Sequence, residues 1–460
     1  MKTLVDPDRA LADALVQVRT EFQVPAGFPP SVLAAADAAI RRRPTEHVDR
    51  TGTRFVTLDP AASTDLDQAF AIEPAGSDLL LHYAIADVAW FVEDGDPLDA
   101  EAWARGETLY LPDGKANLYP PILSEQAASL LPNVERPAVV FSVRISPDGG
   151  ARLDGAERAI VRSVAKLAYE SVQPADLPAH FAQLAERVQA AEHARGAARV
   201  DPPEQEVRRD PDGRLRLGFR PRRASEEQNA ALSLATNLAV AAALQAHQTG
   251  LFRVMAGPDE AAVGRLRRVA QALGLAWATD VSLDDFARSR DPNDPTDAAF
   301  MIAVRRAGNG ASYAPYQDGV VPWHAAVGAT YAQATAPLRR LADRYVIRAA
   351  HAVANGQPVA APVSTAFAAL PAVMAKADAR AAQIDRAVID AAEAILMAGR
   401  EGETFLATVI DTDDRGGRVQ LHDAPVVVRL AGAGLKPGET LTVRLSEVDA
   451  ARRTMRFVAG

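Results

Sequence analysis

The 460-residue chain contains no cysteine, which excludes disulfide bridges, thiolate zinc sites and a cysteine nucleophile. Lysine is nearly absent, represented only by Lys2, Lys115, Lys166, Lys376 and Lys436. Arginine therefore carries the basic charge, and its planar fork favours bidentate contacts with phosphate. The eight histidines show no zinc spacing, and no Gly-x-Ser-x-Gly elbow marks a hydrolase nucleophile. Asp113-Gly114-Lys115-Ala116 lacks the P-loop frame, and Gly308-Asn309-Gly310 lacks the third glycine of a dinucleotide loop. No apolar run suggests the roughly 20 residues of a membrane span. Met1 to Asp6 has no apolar signal core, so a reducing cytoplasm is expected. The net charge of −9 is not that of a basic nucleic-acid-binding domain. An arginine-lined channel inside an acidic shell would still steer a polyanion, because the local field governs.

What is present reads as an ordinary globular chain, 48% hydrophobic and 24% charged. Its length suggests about three domains. Residues 1–48 predict two helices, the first capped by Asp6 with Pro7 at its opening and the second running from Ser31 to Arg43; a helix-turn-helix is an alternative. Residues 49–400 predict a mixed α+β domain. Short β-like runs come first (Phe55 to Leu58, Leu79 to Ile85, Ala138 to Ile145), and beyond Ser163 the chain turns mostly helical. A linker from Arg208 to Arg223 carries seven arginines. Residues 401–460 predict five short strands, with Asp413 to Gly417 and Lys436-Pro437-Gly438 as turns. That spacing fits an OB-type barrel, in which Phe405, His422 and Phe457 are candidate base stackers and at least one of the phenylalanines belongs to the core.

Two stretches carry chemistry. The first runs from Thr57 to Phe70 and holds Asp59, Asp65 and Asp67 among small residues. Packed together, such carboxylates repel one another and hold protons until a cation compensates them. Magnesium suits them, because it takes a few carboxylates plus water and phosphate oxygens. The plain alternative is an Asp-rich turn. A calcium EF-hand is excluded, because counting from Asp65 puts Phe70 and Gly76 where that loop needs Gly and Glu. The second stretch is Tyr331 to Tyr345. There Thr335 or Ala336 caps a helix whose first turn holds Pro337 and Arg339, a cation placed as for a phosphate. A salt bridge from Arg339 to Asp343 is the competing reading. Arg340, Arg344 and Arg348 form a further stripe expected to face solvent. Tyr110, in the loop Thr108 to Gly114, is either a base platform or a buried anchor.

In this order, the motifs resemble the ribonuclease II / ribonuclease R family of 3′→5′ exoribonucleases over residues 50 to 460. Thr57-Leu58-Asp59 through Asp67 is similar to the family's metal signature, and Ile85-Ala86-Asp87-Val88 to its Ile-Ala-Asp strand. Thr108 to Pro112 with Leu123-Ser124, Ser129-Leu130 and Arg136 resembles a second block. Thr335-Ala336-Pro337-Leu338-Arg339-Arg340 resembles its Thr-Ser-Pro-Ile-Arg motif, and the C-terminal unit resembles its S1 domain. The resemblance implies RNA as partner and hydrolysis to nucleoside 5′-monophosphates by one or two Mg2+ ions, with Mn2+ able to substitute. Asp59, Asp65, Asp67 and Gln68 then match metal positions, and Asp67 and Arg339 match catalytic ones. Tyr110, Thr335, Arg339 and Arg340 match substrate contacts. Gln68 stands where the family has a fourth aspartate, so weaker metal binding is expected, and a non-catalytic RNA-binding protein is the alternative. The family's pair of N-terminal cold-shock domains has no counterpart in residues 1–48. Weaker anchoring of long single strands and easier access for structured RNA are expected.

Overall fold

The apolar runs around Phe55, Phe70, Leu81 and Val140 assemble into one sheet in the computed structural model, which describes residues 4–5, 10–197, 204–209, 215–220, 223–291, 294–308, 310–413, 416–432 and 434–460. The strand order is Val48–Asp49, Ala151–Ala168, Phe55–Asp59, Gln68–Ala75, Asp78–Ala86 and Glu135–Ile145. Glu135–Ile145 also pairs with Ala151–Ala168, so the sheet closes on itself. Helix was expected beyond Ser163, but Ala151–Ala168 stays in the ladder, because its last residues run parallel to Phe55–Asp59. This pairing sets Asp59 opposite Ala168, at the end of both strands.

Helices pack against this sheet. Ala224–Ala246 is long and apolar enough to cross a membrane by length and composition, which corrects the expectation that no run suggests a span. Its apolar window is 61% buried inside the fold, as befits a core helix, and Leu232, Ala235, Val240 and Leu244 join the main core. Each fully buried residue of leucine size contributes about 1.5–3 kcal/mol.

The first N-terminal helix, Ala10–Glu21, buries Leu11, Leu15 and Val18 in a second core. This core is shared with Leu109, Leu111 and Ala116 of the hairpin Leu109–Leu111/Gly114–Ala116, and with Ile384 and Val388 of the long helix Ala361–Met397. The loop expected around Tyr110 is thus a hairpin clamped between two helices. The second N-terminal helix, Pro30–Ala39, is shorter than expected; the expected cap at Asp6 and Pro7 lies outside the described residues.

The arginine-rich linker folds as a hairpin, Glu204–Arg209 against Leu215–Arg220, extended by Leu4–Val5. Arg214 and Arg222 lie outside the described residues. At the C-terminus, Thr404–Asp413, Gly416–Leu421, Val427–Ala431, Thr454–Ala459 and Thr440–Asp449 close a barrel in that order. The expected turn around Asp414 and Arg415 lies outside the described residues. Phe405 and Phe457 both sit inside the barrel, their ring centroids 6.0 Å apart, which removes both as base stackers. His422 is exposed, with Nε2 2.7 Å from Thr408 Oγ1.

Candidate active site

Residues 60–67 form a pinned loop. Lys166 Nζ donates to the carbonyls of Ala61 and Ser63 at 2.8 and 2.6 Å. Ser129 Oγ accepts from the Leu66 amide at 2.9 Å and donates to Thr64 O at 2.8 Å. Leu66 is fully buried. A solvated acidic turn would need none of these anchors.

The loop separates the fates of the four predicted metal positions. Asp59 ends its strand, and its Oδ2 is buried without a hydrogen-bond partner. Asp67 is buried and accepts the Leu338 amide at 2.7 Å on Oδ1, while Arg339 Nε stands 3.7 Å from Oδ2. Burial pushes Asp59 up to about 6, with Asp65 adding to the effect. Burial also pushes Asp67 up to about 8, offset only in part by the Arg339 charge and the Leu338 amide. Asp65 turns to Lys115, whose Nζ is 2.6 Å from Oδ1, and it also accepts from Tyr110 Oη at 3.2 Å. Gln68 Oε1 accepts a hydrogen bond from the fully buried Tyr83 hydroxyl.

Among the described residues no three Asp, Glu or His side chains converge closely enough to hold an ion by themselves. Lys115 engages Asp65, and Tyr83 engages the Gln68 amide. The donor set still fits a divalent cation. Asp59 offers an unpartnered buried oxygen, and Asp67 is a second buried carboxylate with no full counter-charge. A hard cation completed by water and phosphate oxygens satisfies both.

Arg339 does not lie in the first turn of a helix, as expected. That helix starts at Leu341, because the backbone of Arg339 and Arg340 pairs instead with Glu107 and Thr108. The salt bridge expected from Arg339 to Asp343 is made by Arg340, at 3.0 and 2.8 Å. Asp343, fully buried, also accepts the amides of Thr335 and Ala336 at 3.0 and 2.8 Å. Two predicted substrate contacts are therefore committed internally. Thr335 is buried with Oγ1 3.1 Å from Ser233 Oγ, and the Arg340 guanidinium is spent on Asp343. The solvent-facing stripe is also corrected, since Arg344 is buried against Asp99. Arg339 keeps a side chain that is 43% exposed. Tyr110, 51% exposed, presents its ring beside it in a shared groove.

Sequence reasoning missed Lys115, Lys166 and Tyr83 at the site, and it gave Asp343 the wrong arginine. The scarcity of lysine was a signal for the first two, since two of the chain's five lysines stand here.

The RNB domain model matches residues 47–356, and the model of the RNase II-type exonuclease C-terminal S1 domain matches residues 403–460. Exoribonuclease 2 of Serratia proteamaculans is 28% identical over 418 residues, covering 85% of this chain and 63% of the relative. Ribonuclease R of Aquifex aeolicus is 26% identical over 443 residues, covering 88% and 61%. The chain thus spans less than two thirds of these relatives' length. The structure of Mycoplasma genitalium RNase R with ribose-methylated single-stranded RNA superposes with a TM-score of 0.85 at 19% identity, covering 98% of this chain and 78% of that one.

Proposed function

This chain belongs to the RNB-domain family, and on that premise we propose that it is a 3′→5′ exoribonuclease that hydrolyses RNA to nucleoside 5′-monophosphates with magnesium. The observation that carries the reading is the pair of buried Asp67 and half-buried Asp59, whose Oδ2 is enclosed without a partner, beside an arginine that stays accessible. A structural cluster of this kind would have been closed by a full salt bridge, because an uncompensated buried carboxylate is costly.

Asp59 and Asp67 would hold the cation, with Asp65 adjacent. Bound there, magnesium supplies an activated water and neutralises the charge that builds on the phosphate. The Leu338 amide and Arg339 set the orientation of Asp67. Arg339 supplies a guanidinium for the non-bridging phosphate oxygens, where fixed charge is most effective. Tyr110 offers its exposed ring to a base, a contact that tolerates any sequence. The S1 barrel supports the same reading as a single-strand platform.

The test is 5′-end-labelled RNA incubated with Mg2+, with EDTA, and with the Asp67→Asn variant. Metal-dependent shortening from the 3′ end, lost in the variant while RNA binding persists, is expected. Binding without cleavage in Mg2+ or Mn2+ would replace the reading with a non-catalytic RNA-binding role.

A further inference from the structure

One cation among the carboxylates of the active-site loop belongs to the chain itself. The Lys115 ammonium stands 2.6 Å from Asp65 Oδ1, 3.0 Å from Glu125 Oε1 and 3.3 Å from Thr64 Oγ1. An ammonium has three donors and no acceptor, so these oxygens use all of it. The Lys115 side chain is 21% exposed and that of Asp65 10%, so solvent ions screen the pair less than an exposed one.

Both walls of this cradle are fixed. The Gly114–Ala116 strand is held from the first N-terminal helix, where Arg19 donates to Asp113 at 2.8 and 2.7 Å and to the Gly114 carbonyl at 3.1 Å. Asn117 Nδ2 donates to Glu125 Oε1 at 2.8 Å. Ser129 holds the backbone of Thr64 and Leu66, on either side of Asp65. The oxygens are therefore preset around one point, as they are around a bound ion.

This ammonium bears on how many ions the site takes. Asp65 lies close enough to repel the charges of both Asp59 and Asp67, so a second ion beside the first would use it. Its Oδ1 is on Lys115, however, and its Oδ2 accepts from Tyr110. Gln68 brings no charge, and its Oε1 is on Tyr83. A second magnesium would have to displace an ammonium held by two carboxylates, and magnesium gives up its own water reluctantly. We propose that Lys115 takes the place of a second divalent cation: its ammonium neutralises Asp65 and Glu125, and the chain binds a single divalent ion, at Asp59 and Asp67. The inference rests on the metal-dependent exoribonuclease reading.

The experiment titrates Mn2+, which takes the same oxygen ligands as Mg2+, into the full chain without RNA. Free Mn2+ is read by electron paramagnetic resonance. The wild type is expected to bind about one ion. Lys115→Ala vacates the cradle and leaves its oxygens uncompensated, so the count rises to about two. Lys115→Arg, which keeps the charge, stays at about one, and Lys115→Ala/Asp65→Asn returns to about one. Asp65→Asn alone also keeps the single ion, which tests the proposal even if thermal melting shows the alanine variant unfolded. A wild-type count of two, loss of the ion in Asp65→Asn, or an unchanged count in folded Lys115→Ala overturns the proposal. A wild type that binds no Mn2+ overturns the Asp59–Asp67 reading, and a gain of one ion in Lys115→Ala then still supports the part given to Lys115. Shortening of labelled RNA in Mg2+ is followed alongside: a chain that binds one ion and cuts nothing loses the exoribonuclease reading, and the ion counts still decide the role of Lys115.

Discussion

Replacing Asp343 with alanine tests how the arginine segment is held. The carboxylate is fully buried and accepts four hydrogen bonds, two from Arg340 and two from the amides of Thr335 and Ala336. Its removal leaves a guanidinium whose side chain is only 15% exposed and two amides without acceptors. Breaking a buried ion pair from one side costs about 3–5 kcal/mol, and each orphaned amide adds about 1–3 kcal/mol when it cannot reach water. Local relaxation overlaps these contributions, so a loss of about 5 kcal/mol is expected. Asp343→Asn keeps an oxygen for the amides but loses the ion pair, and should cost about half as much. The functional effect follows from geometry. Residues 335–340 carry both the Leu338 amide on Asp67 and the Arg339 side chain, and a shift of about 1 Å in such groups costs on the order of 100-fold in rate. Urea unfolding at fixed Mg2+, with 3′-end shortening of labelled RNA, measures both. An alanine variant within about 1 kcal/mol and twofold of wild type would refute the reasoning, because it would match a surface substitution.

Three further outcomes are expected. Burial pushes Glu393 up to about 7 from the ordinary glutamate value of 4.5, where it accepts from Gln205 at 2.7 Å and from the Val427 amide of the barrel at 2.9 Å. The raised value makes its contribution full below about pH 4.5 and lost as pH rises through about 7, a change of about 3 kcal/mol; thermal melts from pH 5 to 8 should be flatter for Glu393→Gln, and an unchanged slope would count against it. With Asp67 near 8 and Asp59 near 6, divalent-metal binding at pH 7 should release about one proton per chain. Calorimetry in two buffers of different protonation enthalpy measures this, and the signal should vanish in Asp67→Asn. Tyr110→Ala should weaken RNA binding by about 1–3 kcal/mol with an unchanged melting temperature, since the ring is half exposed; Tyr110→Phe should retain the binding.

Several elements were legible without any structure. Most of the barrel strands alternate inward and outward residues, so their positions are largely local properties. Asp59, Asp67, Arg339 and Tyr110 stood out because their residue types fit one reaction and occur in a recognisable order. The failures share one cause. Ala151–Ala168 outlasts its local signal because Phe55–Asp59, far earlier in the chain, lies beside it. The helix after Pro337 starts late because Glu107 and Thr108 claim the backbone of Arg339 and Arg340.

By itself, then, the sequence determined which side chains are available for chemistry and which segments alternate or wind. Only the tertiary structure decided which charges stay free. Asp65 goes to Lys115, Gln68 to Tyr83 and Arg340 to Asp343, while Asp59 keeps an unpartnered buried oxygen and the Arg339 side chain stays 43% exposed. The physical reason is that burial and pairing act through space: a carboxylate's charge depends on what the fold brings within a few ångströms, and sequence spacing does not carry that information.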